Sequence, residues 1–278
     1  MNMPKNAECS PAYSLSVLVP VYNEERTIGE ILNRLRDGPY PDKQVIVVND
    51  GSTDNTRNLL DQWVKVPGFI VIHHQANRGK GAAIRTALSS ASGMFTVIQD
   101  ADLEYDPMDL PLLVEALRCG NCQVIYGSRY LDTNRSLKWN RFRLAVAGIN
   151  FLVRLLYGQS LSDEATGYKA FRTDLLKRLE LRAKRFELCA EISAKVCRLG
   201  IRINEVPVSY RPRSVAEGKK IGWRDIWPTI WTLVKWRFLV FPINDNRQTN
   251  AKELTRTEFT GATINGAAEE SFAAMKGE

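Results

Sequence analysis

Asp100-Ala-Asp102 sets two carboxylates one residue apart, just after the apolar run Met94-Phe-Thr-Val-Ile98. At the end of a strand such a pair can share one divalent cation, or divide between a cation and a ribose. An oxygen-only site suits Mg²⁺ or Mn²⁺, hard ions that stay partly hydrated and complete their coordination on phosphate oxygens. Two strand-like runs upstream end in a similar way. Leu15-Ser-Val-Leu-Val-Pro20 leads into Val21-Tyr-Asn-Glu-Glu25, and Val45-Ile-Val-Val48 leads into Asn49-Asp-Gly-Ser-Thr-Asp54. Apolar strands with acidic or Asn-rich ends align their loops along one sheet edge, where open α/β sheets bind ligands. The ligand implied is a nucleotide diphosphate.

The elements that must position these loops follow from periodicity. Ile28, Ile31, Leu32 and Leu35 share one face of a helix predicted over 26–36. Asp54 is placed to cap a helix over 55–64. Residues 69–73 read as a strand, and Gly79-Lys-Gly81 opens an Ala-rich helix through 91. A helix over 109–118 and a strand over 123–126 follow, with Pro107 and Pro111 framing the turn after the carboxylate pair. This alternation predicts an α/β fold of Rossmann-like type, a mostly parallel central sheet flanked by helices. From Gly127 the pattern breaks. Residues 136–157 read as a loop and then a helix carrying Lys138, Arg141, Arg143 and Arg154. A polar loop over 158–166, a short strand over 168–171, a helix over 187–198 and a strand over 201–210 complete this half.

VPVYNEE, VVNDGSTD and DADLEYDP, in this order and spacing, resemble the family-2 glycosyltransferases of the GT-A fold. The resemblance continues through Gly127-Ser-Arg-Tyr130, Asp163-Glu-Ala-Thr-Gly-Tyr-Lys-Ala-Phe-Arg172 and Phe186-Glu-Leu-Cys-Ala-Glu191, and covers residues 14–222. Within the family the chain is most similar to the polyprenyl-phosphate sugar synthases, the group of dolichol-phosphate mannose synthase. The resemblance implies inverting transfer of a hexose from a nucleotide-diphosphate sugar, of GDP-mannose or UDP-glucose type. It implies a lipid phosphate, dolichyl or undecaprenyl, as acceptor.

Residue roles carried over by that resemblance are as follows. Tyr22, Glu24 and Asp50 contact the base and ribose, although Glu24, Asp50 and Asp54 also precede helices, where carboxylates cap N-termini. Lys80 lies near the ribose or diphosphate. Asp102 ligates the metal, Asp100 shares the metal or the ribose, and Glu104 stands where some of these synthases present a Gln to the metal. Arg129 faces the acceptor phosphate, assisted by Arg141 and Arg143. Asp163, Thr166 and Gly167 form the acceptor-side loop, and Glu191 is the family's helix carboxylate. Arg213, Lys219 and Lys220 belong to a basic loop that closes over the diphosphate.

The acceptor decides which further group the chemistry needs. A sugar hydroxyl requires a general base, for which Asp163 or Glu191 would serve. A lipid phosphate is already ionised and needs only cations to position it, which Arg129 and the basic stretch 138–143 supply. A third reading, an idle nucleotide-sugar-binding subunit, is opposed by the intact Asp100, Asp102 and Arg129.

Bulk properties agree with an enzyme beside a membrane. Net charge is +7, with six acidic and four basic residues in 244–278, which leaves +9 on residues 1–243. That excess suits anionic partners, but no nucleic-acid motif accompanies it. Residues 1–13 are polar without an apolar segment, so no secretory signal is expected, and the five cysteines are expected as free thiols in the cytoplasm. Cys119-Gly-Asn-Cys122 lacks the second pair that a zinc site needs, and His73 and His74 are read as structural. In 223–243, Lys235 and Arg237 interrupt the apolar run, so the segment reads as an amphipathic helix with Trp227, Ile230, Trp231, Val234, Phe238 and Phe241 on one face. That face predicts either peripheral attachment to the cytoplasmic side of a membrane or docking on the core. Residues 244–278 read as a disordered tail. A homo-oligomer or a membrane-protein partner stays open.

Overall fold

A computed structural model describes residues 14–119, 122–131, 141–213 and 226–239. β1 (Leu15–Val21), β2 (Lys43–Asn49), β3 (Phe69–His73) and β4 (Phe95–Ile98) pair in parallel, joined through α1 (Ile28–Asp37), α2 (Thr56–Asp61) and α3 (Lys80–Ser89). α4 (Leu110–Cys119) leads to β5 (Val124–Ser128), and α5 (Arg141–Tyr157) leads to β6 (Lys169–Arg172). β6 runs antiparallel between β4 and β5. α6 (Thr173–Arg178) and α7 (Leu188–Arg198) precede β7 (Ile203–Pro207), which closes the far edge parallel to β5. The sheet order is β3-β2-β1-β4-β6-β5-β7.

The pleat sorts side chains into two apolar layers. Val17, Val19 and Val21 of β1 pack with Ile31, Leu35 and Leu113, on the side of α1 and α4. Leu18 points the other way and packs with Ala83 and Ile192, on the side of α3 and α7. β2 repeats the division, and the register Val17↔Val45, Leu18↔Ile46 keeps each layer continuous. Strands covered on both faces need no polar alternation, which is why the runs before the acidic loops are almost wholly apolar.

α8 (Ile226–Phe238) belongs to the same compact unit as the sheet. Leu233 and Trp236 enter the core layer beside α5 and α7. Trp227, Trp231 and Phe238 remain 75%, 67% and 76% exposed. One face of this helix docks on the core, and the other shows aromatics to the outside. α5, which packs beside α8, exposes Leu144, Phe151 and Leu155. Among the described residues no helix is long and apolar enough to cross a membrane. Residues 1–13 and the tail lie outside the described residues.

Candidate active site

The ends of β1, β2 and β4 open onto a cavity of about 450 Å³. Tyr22 and Glu24 from the first loop, Asp50 from the second, and Asp100, Asp102 and Glu104 from the third all line it. Lys80 at the start of α3, Arg129 after β5 and Arg213 beyond β7 complete the wall. Lys219, Lys220 and Lys138 lie outside the described residues, as does the side chain of Arg141.

Two loops bend through left-handed backbone at non-glycine residues, Asn23 at φ 49° and Leu103 at φ 59°. For a residue as bulky as Leu this costs on the order of 1–3 kcal/mol, a cost that recurs where function fixes the chain. The Leu103 turn lets Asp102 Oδ1 accept from the Glu104 amide at 3.1 Å. Gly167 presses against the same region: a Cβ there would fall 2.5 Å from Asp100 Oδ2. Tyr105 ties the two loops together, its hydroxyl meeting the Gly167 amide and Thr166 Oγ1, both at 3.2 Å.

At the second loop, Asp50 is already well used. Its Oδ1 accepts from the Arg78 amide at 3.0 Å and meets His74 Nδ1 at 2.7 Å, and its Oδ2 accepts from the Gly79 amide at 2.7 Å. Asp50 thus fixes the entry to α3, where Gly79 adopts φ 95°. His74 spans Asp50 and Thr86. Asp54 Oδ1 accepts from the Thr56 amide at 3.0 Å, at the start of α2.

The carboxylate pair is compensated by two cations. Lys80 Nζ lies 2.6 Å from Asp100 Oδ1, and Arg213 Nη2 lies 2.6 Å from Asp102 Oδ2. Burial opposes the Lys80 charge, but Asp100 and the charges around it outweigh burial and raise its pKa. Burial, then Asp100 and Glu104, push the Asp102 carboxyl up to about 7, with Arg213 pulling it back. Glu104, expected as a third metal donor, lines the cavity with both oxygens engaged in hydrogen bonds. Its Oε1 accepts from the Arg213 amide at 3.0 Å and its Oε2 from the Tyr210 hydroxyl at 3.1 Å. It also anchors the 210–213 segment, and among the described residues no three acidic, His or Cys side chains form a ready-made metal cluster. Mg²⁺ or Mn²⁺ still fits, because such ions are commonly held by one or two carboxylates plus substrate phosphates. The crowding of negative charge that raises Asp102 is what a dication relieves.

Arg129 is buried and paired with the fully buried Asp163. Its Nε and Nη2 donate to the two carboxylate oxygens at 2.7 and 2.6 Å, and its amide donates to Oδ2 at 3.0 Å. The guanidinium packs 5.5 Å from the Tyr130 ring centre and 5.1 Å from that of Tyr210. Arg143 approaches the same Tyr130 ring at 5.3 Å, although it is not itself part of the cavity lining. Neither proposed base is available. Asp163 is committed to Arg129, and Glu191 pairs with Lys195 at 2.7 Å while accepting from the Arg182 and Ala183 amides. Neither carboxylate lines the cavity.

A family model, glycosyl transferase family 2, matches residues 16–180. The chain belongs to glycosyl transferase family 2. This family-2 chain is 32% identical to the undecaprenyl-phosphate mannosyltransferase of Micrococcus luteus, across 74% of this chain and 86% of that one. It is 28% identical to the UDP-N-acetylglucosamine–dolichyl-phosphate N-acetylglucosaminyltransferase of Methanococcus voltae, across 74% and 89%. Among solved structures, glucosyl-3-phosphoglycerate synthase from Mycobacterium tuberculosis with Mn²⁺, UDP-glucose and phosphoglyceric acid matches with a TM-score of 0.61. The identity is 24%, over 82% of this chain and 81% of that one. That likeness establishes the fold, the GT-A arrangement of a mostly parallel sheet flanked by helices.

Glu164, Tyr105, Arg185 and Cys189 also line the cavity. Sequence reasoning gave none of them a task. Tyr105 stands inside the DADLEYDP motif and Glu164 inside DEATG, so motif membership was the available signal. Nothing local distinguished them from their neighbours.

Proposed function

We propose that the protein transfers a hexose from a nucleotide-diphosphate sugar, of GDP-mannose or UDP-glucose type, to a polyprenyl phosphate at the cytoplasmic surface of a membrane. The observation that carries this reading is the mixed lining of the cavity. Strand-end carboxylates and paired cations form part of it. Val146 and Ile149 of α5 and Ile226 and Thr229 of α8 also line it, from two helices that expose Phe151, Leu155, Trp227 and Trp231. A lipid chain lying along those exposed residues would bring its phosphate to the cavity. The polyprenyl-phosphate relatives support the same acceptor class.

Asp100 and Asp102 would hold the divalent ion, which when bound makes the diphosphate a better leaving group. Lys80 and Arg213 add positive charge beside the same oxygens, where leaving-group charge develops. Tyr22, Glu24 and Asp50 line the end meant for the nucleoside. An ionised phosphate needs no base, so the protein's remaining task is to hold it against the anomeric carbon. Arg129 and Arg143, gathered around Tyr130, are suited to that. Single displacement inverts the anomeric configuration. A hydroxyl acceptor fits less well, because Asp163 and Glu191 are both consumed in ion pairs.

A thermal-shift screen of nucleotide sugars with Mn²⁺ identifies the donor, since a ligand of the folded state raises the melting temperature. The purified protein is then offered a short-chain polyprenyl phosphate, the matching polyprenol and a set of free sugars, with products read by mass spectrometry. Glycosylated polyprenyl phosphate is expected. A product on a sugar hydroxyl would refute the acceptor.

A further inference from the structure

Glu164 lies on the cavity wall between Asp163, which clamps Arg129, and Gly167, which abuts Asp100. Its side chain is fully buried. Oε1 accepts from Ser193 Oγ at 3.0 Å, whereas Oε2 has no hydrogen-bond partner. The rest of the residue is tightly held. Its amide donates to Asn150 Oδ1 at 2.9 Å, and its carbonyl accepts from Lys169 Nζ at 2.7 Å. Ser193 in turn meets the Tyr126 hydroxyl at 2.8 Å. Contacts from α5 and β6 therefore fix the backbone of this residue, and one from α7 holds its carboxyl. Burial pushes it above the ordinary carboxylate range, with Lys169 and Ser193 opposing.

A buried carboxylate oxygen without a donor loses its hydration for nothing, unless a ligand brings the donor. The chemistry of that ligand follows from charge and position. A phosphate would meet like charge at Glu164. On the proposed donor reading the nucleoside takes the Tyr22–Asp50 part of the cavity and the diphosphate lies beside Asp102 and Arg213. What remains of a nucleotide sugar for the wall beyond Asp100 is the hexose, whose outward groups are hydroxyls. Cys189 shares that stretch of wall, its Sγ reaching Thr166 O at 3.8 Å.

We propose that Glu164 reads the transferred sugar, its unpaired Oε2 accepting a hydrogen bond from a hydroxyl of the donor hexose. This inference rests on the proposed donor class. Glu164 is a recognition residue in this scheme and takes no proton from the acceptor.

The test is calorimetric titration in Mn²⁺ with the nucleotide sugar chosen by the screen and with its nucleoside diphosphate. Wild type, Glu164→Gln and Glu164→Ala are compared. Glu164→Ala should lose about tenfold or more in nucleotide-sugar affinity while nucleoside-diphosphate affinity stays within about twofold, the loss expected for a hydrogen bond to a charged group. Glu164→Gln should lose less, because its amide oxygen still accepts. Among monodeoxy donors, one should bind wild type about as weakly as the parent binds Glu164→Ala, and Glu164→Ala should not distinguish that analogue from the parent. A merely structural role would move both ligands together, and that outcome overturns the inference, as does unchanged sugar affinity. A Glu164→Gln variant that binds donor like wild type but loses turnover marks a general base and also overturns it. Should Glu164→Ala not fold, Glu164→Gln decides: its penalty for one deoxy position must shrink relative to wild type. Absence of any nucleotide-sugar binding by the wild type overturns the proposed donor and this inference together, and the wild-type titration separates that failure from the others.

Discussion

Arg213 lies across Asp102, with Nη2 2.6 Å from Asp102 Oδ2. Nη1 reaches Glu24 Oε2 at 3.1 Å, so one guanidinium bridges the first and third strand-end loops. Asp102, Glu24 and Glu104 outweigh the burial that opposes its charge and raise its pKa further. Arg213 thus engages an oxygen that a divalent cation on Asp102 would also use.

Competition between the two cations is measurable without turnover. Arg213→Gln should bind Mn²⁺ alone about tenfold tighter than wild type at about pH 8, a modest figure for a like-charge neighbour at a partly buried site. Calorimetric titration without nucleotide gives the comparison. Unchanged or weaker Mn²⁺ binding would mean that Arg213 supports the metal or does not face it.

Asp102 sets a pH dependence of definite sign. Its folded-state pKa is raised to about 7, while the unfolded chain titrates at about 3.9. Between those values the folded protein keeps a proton that the unfolded chain has released, so this group's contribution to stability falls as pH rises. The metal-free melting temperature should drop between about pH 5 and pH 8, and Asp102→Asn should flatten that slope. Mn²⁺ must displace the proton, so its stabilising effect should be larger at about pH 8 than at about pH 6. Asp102→Asn should stay folded yet lose about a hundredfold or more in transfer rate, as for other groups that stabilise developing charge. Near wild-type transfer in this variant at limiting Mn²⁺ would remove Asp102 from the metal site.

These features differ in how visible they are in the chain itself. The loop-bearing strand ends could be read directly, because β1, β2 and β4 are covered on both faces and leave apolar runs that stop abruptly at Asn or Asp. The register that stacks Val17 on Val45 follows from the same runs. Arg129 and Asp163, in contrast, are 34 residues apart, and Arg213 and Asp102 are 111 apart. Such pairs depend on how β6 inserts between β4 and β5, an antiparallel step that no local period announces. The family motifs brought Glu104 to the site but could not show that Tyr210 and the Arg213 backbone occupy its oxygens. Leu103 in a left-handed turn is hidden for a similar reason: leucine has no propensity for it, and the surrounding contacts impose it.

The two faces of α8 predict different failures. Trp227, Trp231 and Phe238 are exposed, so replacing all three by Ser should leave melting nearly unchanged and release the protein from anionic vesicles in a sedimentation assay. Basic residues near the bilayer contribute on the order of 1 kcal/mol each, so high salt should weaken wild-type binding as well. Leu233 is fully buried, and Leu233→Ala should cost about 2–5 kcal/mol of stability. Vesicle binding that survives the triple substitution would place the membrane contact elsewhere.

The acceptor wall separates a structural cation from a recognising one. Asp163→Asn leaves the Arg129 guanidinium buried without its counter-charge, which costs about 3–5 kcal/mol for a pair of this kind. Arg129→Lys keeps the charge but cannot reproduce the two-pronged bond to Asp163, so it too should lower the melting temperature. Loss of transfer in either variant would therefore say little about the acceptor by itself. Arg143 is the better probe, being only partly buried and packed on the same Tyr130 ring. Arg143→Ala should melt close to wild type and raise the KM for polyprenyl phosphate about tenfold, the loss of one charge-assisted bond to phosphate. Donor affinity should not change, because Tyr22, Asp50 and Asp102 are the residues proposed to hold the nucleoside and diphosphate. Steady-state kinetics with the acceptor varied at saturating donor gives the answer. If the acceptor KM stays put and the donor constant moves, the phosphate enters from another side, and the gathering of Arg129 and Arg143 around Tyr130 serves packing alone.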